Sequence, residues 1–142
     1  MASKPVLALI VASPSSLQNG LMALLTTISQ ISAVMVAEEA SLALRMVRDH
    51  HPALLLLDVN LPESQTLLKQ LKTDWPKTRC ILLVDSVEQK EGVIDADAVL
   101  IKGFPAEKLI GTVEQLLSQR EIDSPIKSNS TDEPLAKGGT KK

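Results

Sequence analysis

The sequence predicts an α/β domain built as a doubly wound, five-stranded parallel sheet, and three observations predict it. Apolar runs rich in branched residues recur at residues 5–11, 53–57, 80–84 and 98–101, each too continuous for a strand with one wet face and therefore suited to a strand covered on both sides. Segments with apolar residues at helical spacing alternate with these runs, which calls for right-handed crossovers and helices on both faces. The runs also end in polar residues, namely Asp58, Asp85-Ser86 and Lys102-Gly103. In an open α/β sheet the ligand crevice lies beyond the carboxyl ends of the strands, so these positions are where chemistry would be sited.

Each element follows from its residues. Pro5 to Val11 is a central strand, and Ser13 or Ser15 can accept from the free amides of the helix that follows, with Pro14 near its first turn and Leu17, Leu21, Leu24, Leu25 and Ile28 on one face. Ile31 to Ala37 is β-branched and reads as the second strand. Glu38-Glu39 then opens a helix with Leu42, Leu44, Met46 and Val47 that stops at His50-His51-Pro52. Ala53 to Leu57 is the third strand, closed by Asp58 and the loop Val59-Asn60-Leu61-Pro62. A third helix from about Glu63 carries Leu67, Leu68 and Leu71, and Trp75-Pro76 ends it. Cys80 to Val84 is the fourth strand. Val87 to Asp95 contains Gly92 and few apolar residues, so it predicts a short fourth helix at most. Ala98 to Ile101 is the fifth strand, and Ala106 to Arg120 shows Leu109, Ile110, Val113, Leu116 and Leu117 at core spacing despite Gly111. Residues 1–120 are thus expected to form one domain. Ser, Pro, Lys, Asn, Asp and Gly dominate 121–142, which predicts a disordered C-terminal tail with no output domain after it.

Composition narrows the function classes. The 142 residues are 44% hydrophobic and 23% charged, the balance of a soluble globular domain with one core. A formal net charge of -2 gives no electrostatic reason to expect nucleic acid or an anionic membrane. The aromatics are Trp75 and Phe104, too few to stack bases or flavin rings. Cys80 lies in an apolar run, where it reads as a small core residue in a reducing compartment. The chain shows no signal-peptide pattern and no apolar run near the roughly 20 residues of a membrane span, so a cytoplasmic location is expected.

Five alternating units with an acid after the third strand and a lysine after the fifth resemble the receiver domain of bacterial two-component response regulators, over roughly residues 5 to 120. Leu57-Asp58-Val59-Asn60-Leu61-Pro62 is similar to that family's phosphoacceptor strand and D-x-x-M/L-P turn, and Ile101-Lys102-Gly103 is similar to its strand-five lysine segment. The resemblance implies a flavodoxin-like receiver fold, here with a shortened fourth helix. It also implies phosphorelay signal transduction, in which a histidine kinase or another signalling protein is the partner and a phosphohistidine donates its phosphoryl group to the aspartate with the help of magnesium. Magnesium wants near-octahedral oxygen ligands and neutralises charge on the phosphoryl oxygens, which is why the family gathers acids there.

Carried over position by position, the resemblance makes Asp58 the phosphoacceptor, Lys102 and Ser86 the groups that meet the phosphate, and Asp58 with the backbone carbonyl of Asn60 the surviving magnesium ligands. The family's acidic pair at the end of strand one falls instead on Ala12 and Ser13, neither of which brings negative charge to a metal. Its strand-four hydroxyl falls on Val84, with Ser86 close by, and its strand-five switch aromatic falls on Val99. Asp58 and Lys102 are expected to meet at the carboxyl ends of neighbouring strands, and the bland alternative is an Asp–Lys pair that only steadies those ends. Asp85 is placed either in the crevice or as a cap of the short helix, and is not taken as a ligand. His50 and His51 fall at the opposite, amino-terminal end of the central strand and read as a helix terminus rather than metal ligands.

Three functions compete. The first is a stand-alone divergent receiver acting through protein–protein contacts, with Asp58 as candidate phosphoacceptor. The second is a phosphorylation-independent pseudo-receiver adaptor. The third is a flavodoxin-like cofactor binder using the serine-rich loop after strand one. No nucleophile, base and oxyanion set is present, so the chain is not expected to be an enzyme.

Overall fold

In the computed structural model the described residues are 6–91 and 95–122. They form β1 (Leu7–Val11), α1 (Ser16–Leu25), β2 (Ala33–Ala37), α2 (Ala40–His50), β3 (Leu54–Asp58), α3 (Ser64–Asp74), β4 (Arg79–Val84), α4 (Val87–Glu91), β5 (Ala98–Ile101) and α5 (Ala106–Ile122). The expected tail lies outside the described residues from 123 onward, as does 92–94 in the fourth connection.

All four strand pairings are parallel, and the order across the sheet is β2-β1-β3-β4-β5. The connection direction reverses between β1 and β3, which makes the carboxyl rim beside these two strands the switch point where such sheets bind ligands. Successive side chains of a strand point to opposite faces, so the continuous apolar runs feed two cores at once. Ile10, Leu56 and Leu83 pack on one face with Leu21 and Leu25 of α1 and Leu109 and Val113 of α5. Leu9, Val11, Leu57 and Val84 pack on the other with Ala43 and Val47 of α2 and Leu67 and Leu71 of α3. Within β3, Leu54 to Leu57 have no exposed surface at all. Cys80 is buried in the second core, where desolvation, reinforced by the nearby Asp97 charge, pushes its thiol up to about 12, so it is a packing residue.

Two helix ends fall where the sequence signals them, whereas the starts of α2 and α3 at Glu39 and Glu63 have no side-chain cap. Of the two serines that could cap α1, Ser15 does so, accepting from the Gln18 amide at 3.2 Å. His51 adopts a left-handed conformation (φ 49°) just past α2 and closes that helix at the amino-terminal rim, away from Asp58. The second strand is shorter than expected. Ile31 N–H turns back to the Ile28 carbonyl at 3.0 Å, and the ladder with β1 runs from Ala33, preceded by the Ser32 N–H donating to the Val6 carbonyl at 2.8 Å. Among the described residues the fourth helix spans Val87–Glu91, and the rest of the segment expected to hold it, 92–94, lies outside them.

Candidate functional site

The site is assembled by three strand ends at one rim. The register sets Asp58 opposite Leu83 and Val84 opposite Ile101, so Asp85 and Lys102 leave the sheet in step and Asp58 stands at the same rim two register positions before them. Asp58 and Lys102 do not lie on neighbouring strands as expected: β4 stands between β3 and β5. Two strand spacings are about 10 Å, which a Lys side chain spans by reaching over the end of β4. Gly103 follows with φ +92°, a conformation open to glycine that turns the chain away immediately after the lysine.

The side chains close into a ring. Lys102 Nζ lies 2.7 Å from Asp58 Oδ1 and 3.1 Å from Asp85 Oδ1. Asn60 donates its backbone N–H to Asp58 Oδ1 at 2.9 Å and its side-chain amide to Asp85 Oδ2 at 2.8 Å. Asp58 and Lys102 are mostly shielded, with 15% and 22% of their side-chain surface exposed, whereas Asp85 keeps 46%. The Asp58 turn is braced from behind, because Leu61 N–H returns to the Asp58 carbonyl and Ser64 Oγ donates to the Val59 carbonyl at 2.8 Å.

The ring perturbs its members. Burial works against the Lys102 charge, but the hydrogen bonds it donates to Asp58 and Asp85, together with their negative charges, outweigh it and raise the ammonium above its ordinary 10.5. The Asn60 amide, followed by Lys102, holds the Asp85 carboxyl below its ordinary 3.8. Asp85 is therefore a carboxylate and Lys102 an ammonium at neutral pH.

Other expected site residues are placed differently. Ser86 sits at the start of α4, where its hydroxyl accepts the Gln89 amide at 3.3 Å. Val84 is fully buried and Val99 packs against the same core, so no hydroxyl stands at the end of β4. Sequence reasoning set Asp85 aside and did not single out Gln18. The Gln18 side-chain amide donates to the Ala12 carbonyl at 2.9 Å and approaches Glu38 Oε2 at 3.4 Å, so it ties down the end of β1.

These contacts decide how the rim suits a magnesium ion. Ala12 is fully buried and its carbonyl is engaged by Gln18, while the Ser13 carbonyl accepts from Ser15 Oγ at 3.1 Å. Asp58 Oδ1 is already held by Lys102 and the Asn60 N–H, and both Asp85 carboxylate oxygens are held, Oδ1 by Lys102 and Oδ2 by the Asn60 side chain. Among the described residues no group of three or more His, Cys, Asp or Glu is placed to hold a metal, and the donor set does not fit a resident divalent ion.

The sheet order, the carboxylate at the end of β3 and the lysine beyond β5 can be set beside known proteins. The response regulator receiver domain family matches residues 8–114. The chain belongs to the response regulator receiver domain family. Solved receivers superpose closely. The signal receiver domain of an HD domain-containing protein from Pseudomonas fluorescens Pf-5 is 20% identical with a TM-score of 0.77, covering 88% of this chain and 96% of its own. A CheY-like response regulator receiver domain protein from Methanospirillum hungatei JF-1 is 20% identical with a TM-score of 0.74, covering 85% of this chain and 100% of its own. A response regulator from Chloroflexus aurantiacus J-10-fl is 23% identical with a TM-score of 0.69, covering 81% of this chain and 99% of its own. At such identities the likeness is one of fold. No curated protein matches the chain. As a receiver domain it is a module of two-component signalling, and no helix among the described residues is long and apolar enough to cross a membrane.

Proposed function

We propose that this receiver works in the cytoplasm through protein–protein contacts, without turnover of a substrate, and that Asp58 is the carboxylate that accepts a phosphoryl group from a histidine kinase. The observation that carries the reading is the Lys102 ammonium 2.7 Å from Asp58 Oδ1 at the carboxyl rim of the sheet. In the transfer, an Asp58 oxygen attacks phosphorus, the P–N bond of a phosphohistidine breaks, and the imidazole leaves with the electron pair. Lys102 then faces the new phosphoryl oxygens as a point charge. Incubation with phosphoramidate, which would release ammonia in the same exchange, should add one phosphoryl group by intact mass. Asp58→Asn should abolish that gain. Persistence of the gain in Asp58→Asn would discard Asp58 as acceptor.

A phosphorylation-independent adaptor is the second reading, favoured by one specific observation: Asp85 already holds a negative charge 3.1 Å from Lys102, where phosphoryl oxygens would otherwise be met. It predicts no mass gain with any phosphodonor. It also predicts binding to its partner that is the same for the wild type and Asp58→Asn.

A further inference from the structure

The family's usual cation is divalent, and among the described residues no group of three or more His, Cys, Asp or Glu stands ready to hold one. We infer that Lys102 is itself the resident cation of the site, fixed in that role by Asp85, so that the receiver neither binds nor needs a divalent ion at Asp58; the inference rests on Asp58 being the receiving carboxylate.

Three features support it. The ammonium bridges two carboxylates from different strand ends, at 2.7 Å to Asp58 and 3.1 Å to Asp85, which is the charge arrangement a metal would impose. Asn60 then commits a second bond to each acid, one from its backbone N–H and one from its side-chain amide. A magnesium ion demands near-ideal octahedral geometry and gives up its waters reluctantly, so to take Asp58 Oδ1 or either Asp85 oxygen it would have to strip these bonds and sit against the lysine that spans the two acids. The end of β1 offers no compensation. Ala12 contributes no carboxylate, and its carbonyl is taken by Gln18 at 2.9 Å. Asp85 is thus a positioning residue: it acts through Lys102, holding the ammonium over Asp58 from the end of β4, between the two strands that carry them.

Magnesium titration of the 15N-labelled full chain tests this directly. The amides of Val59, Asn60 and Asp85 should stay unmoved through the millimolar range, and small-donor labelling should run at the same rate with magnesium as with EDTA. Lys102→Met leaves two adjacent carboxylates without their cation, so it should gain a saturable magnesium response at the same amides, at least tenfold tighter than wild type; Lys102→Gln serves if the methionine variant does not fold. Saturable binding to the wild type at these amides would overturn the inference, and so would a lysine variant that folds yet gains nothing. Absence of any labelling of the wild type would instead count against Asp58 as acceptor. The titration would still decide the cation question.

Discussion

Replacing Lys102 by Met removes the ammonium and keeps the stem, which isolates the charge. Exposed ion pairs contribute about 0–1 kcal/mol, whereas breaking a fully buried pair costs about 3–5 kcal/mol because the other charge is left stranded. Asp58 and Lys102, at 15% and 22% exposure, lie nearer the buried limit, but water still reaches Asp58, and the Asn60 N–H remains on it. A loss of about 2–3 kcal/mol follows, which in a domain of this size lowers Tm by roughly 10 °C. Urea unfolding followed through Trp75, which packs partly buried against the second core, measures it. Adding Asp58→Asn to Lys102→Met removes the stranded charge, so the double variant should recover most of the loss. A single variant within about 0.5 kcal/mol of wild type would refute the reasoning, as would a double variant no better than the single.

Four further outcomes are expected. Lys102 is held above 10.5 in the fold, so its stabilisation is complete below that value and disappears as pH rises through the folded pKa; wild-type stability should therefore fall more steeply in alkali than that of Lys102→Met. Asp85 has the opposite sign: its contribution is present above 3.8 and is lost as pH falls through the lowered pKa, and Asn60→Ala should move its carboxyl-carbon titration in NMR upward, since Asn60 is the largest cause of the shift. Cys80, its thiol pushed up to about 12 and buried, should resist a disulfide reagent in the folded protein and react only in urea. Leu56→Ala, in the fully buried centre of β3, should cost about 2–5 kcal/mol in denaturant unfolding.

The strands were legible because a run such as Leu54 to Leu57 has only one comfortable place, inside a sheet covered on both faces. Helix starts with a side-chain cap, such as Ser15 for α1, were legible too. The start of α3 after Glu63, at φ 66° and with no capping bond, carries no comparable signal. Asp58 and Lys102 could be paired from the alternation of elements alone, but their separation by β4 depends on strand order, which sequence spacing does not encode. The direction of Asp85 was ambiguous because a residue one step past a strand can turn into the crevice or cap the next helix. Here Ser86 and Gln89 organise the start of α4, while Asn60 and Lys102 draw the Asp85 carboxylate inward. One signal could have found it: with parallel strands ending in step, the residue after Val84 necessarily stands beside the residue after Ile101. Gln18 gave no such signal, since its contact with Ala12 depends on how α1 turns off β1.

The missing hydroxyl at the end of β4 cannot be restored by simple substitution, and the reason is physical. Val84 has no exposed surface, pairs with Ile101 and packs among Val11, Leu57 and Leu82 in the second core. Val→Thr keeps the shape but places a hydroxyl among methyl groups, and a buried hydroxyl without a partner costs about 1–3 kcal/mol. Val84→Thr should therefore lose stability in urea unfolding by about that much, and it should leave the Lys102 and Asp85 titrations where they are in the wild type. If Val84→Thr were as stable as the wild type and shifted the Asp85 titration, the hydroxyl would have reached the rim. The cluster of Asp58, Lys102 and Asp85 would then be open to a fourth polar partner, rather than closed by Asn60 alone.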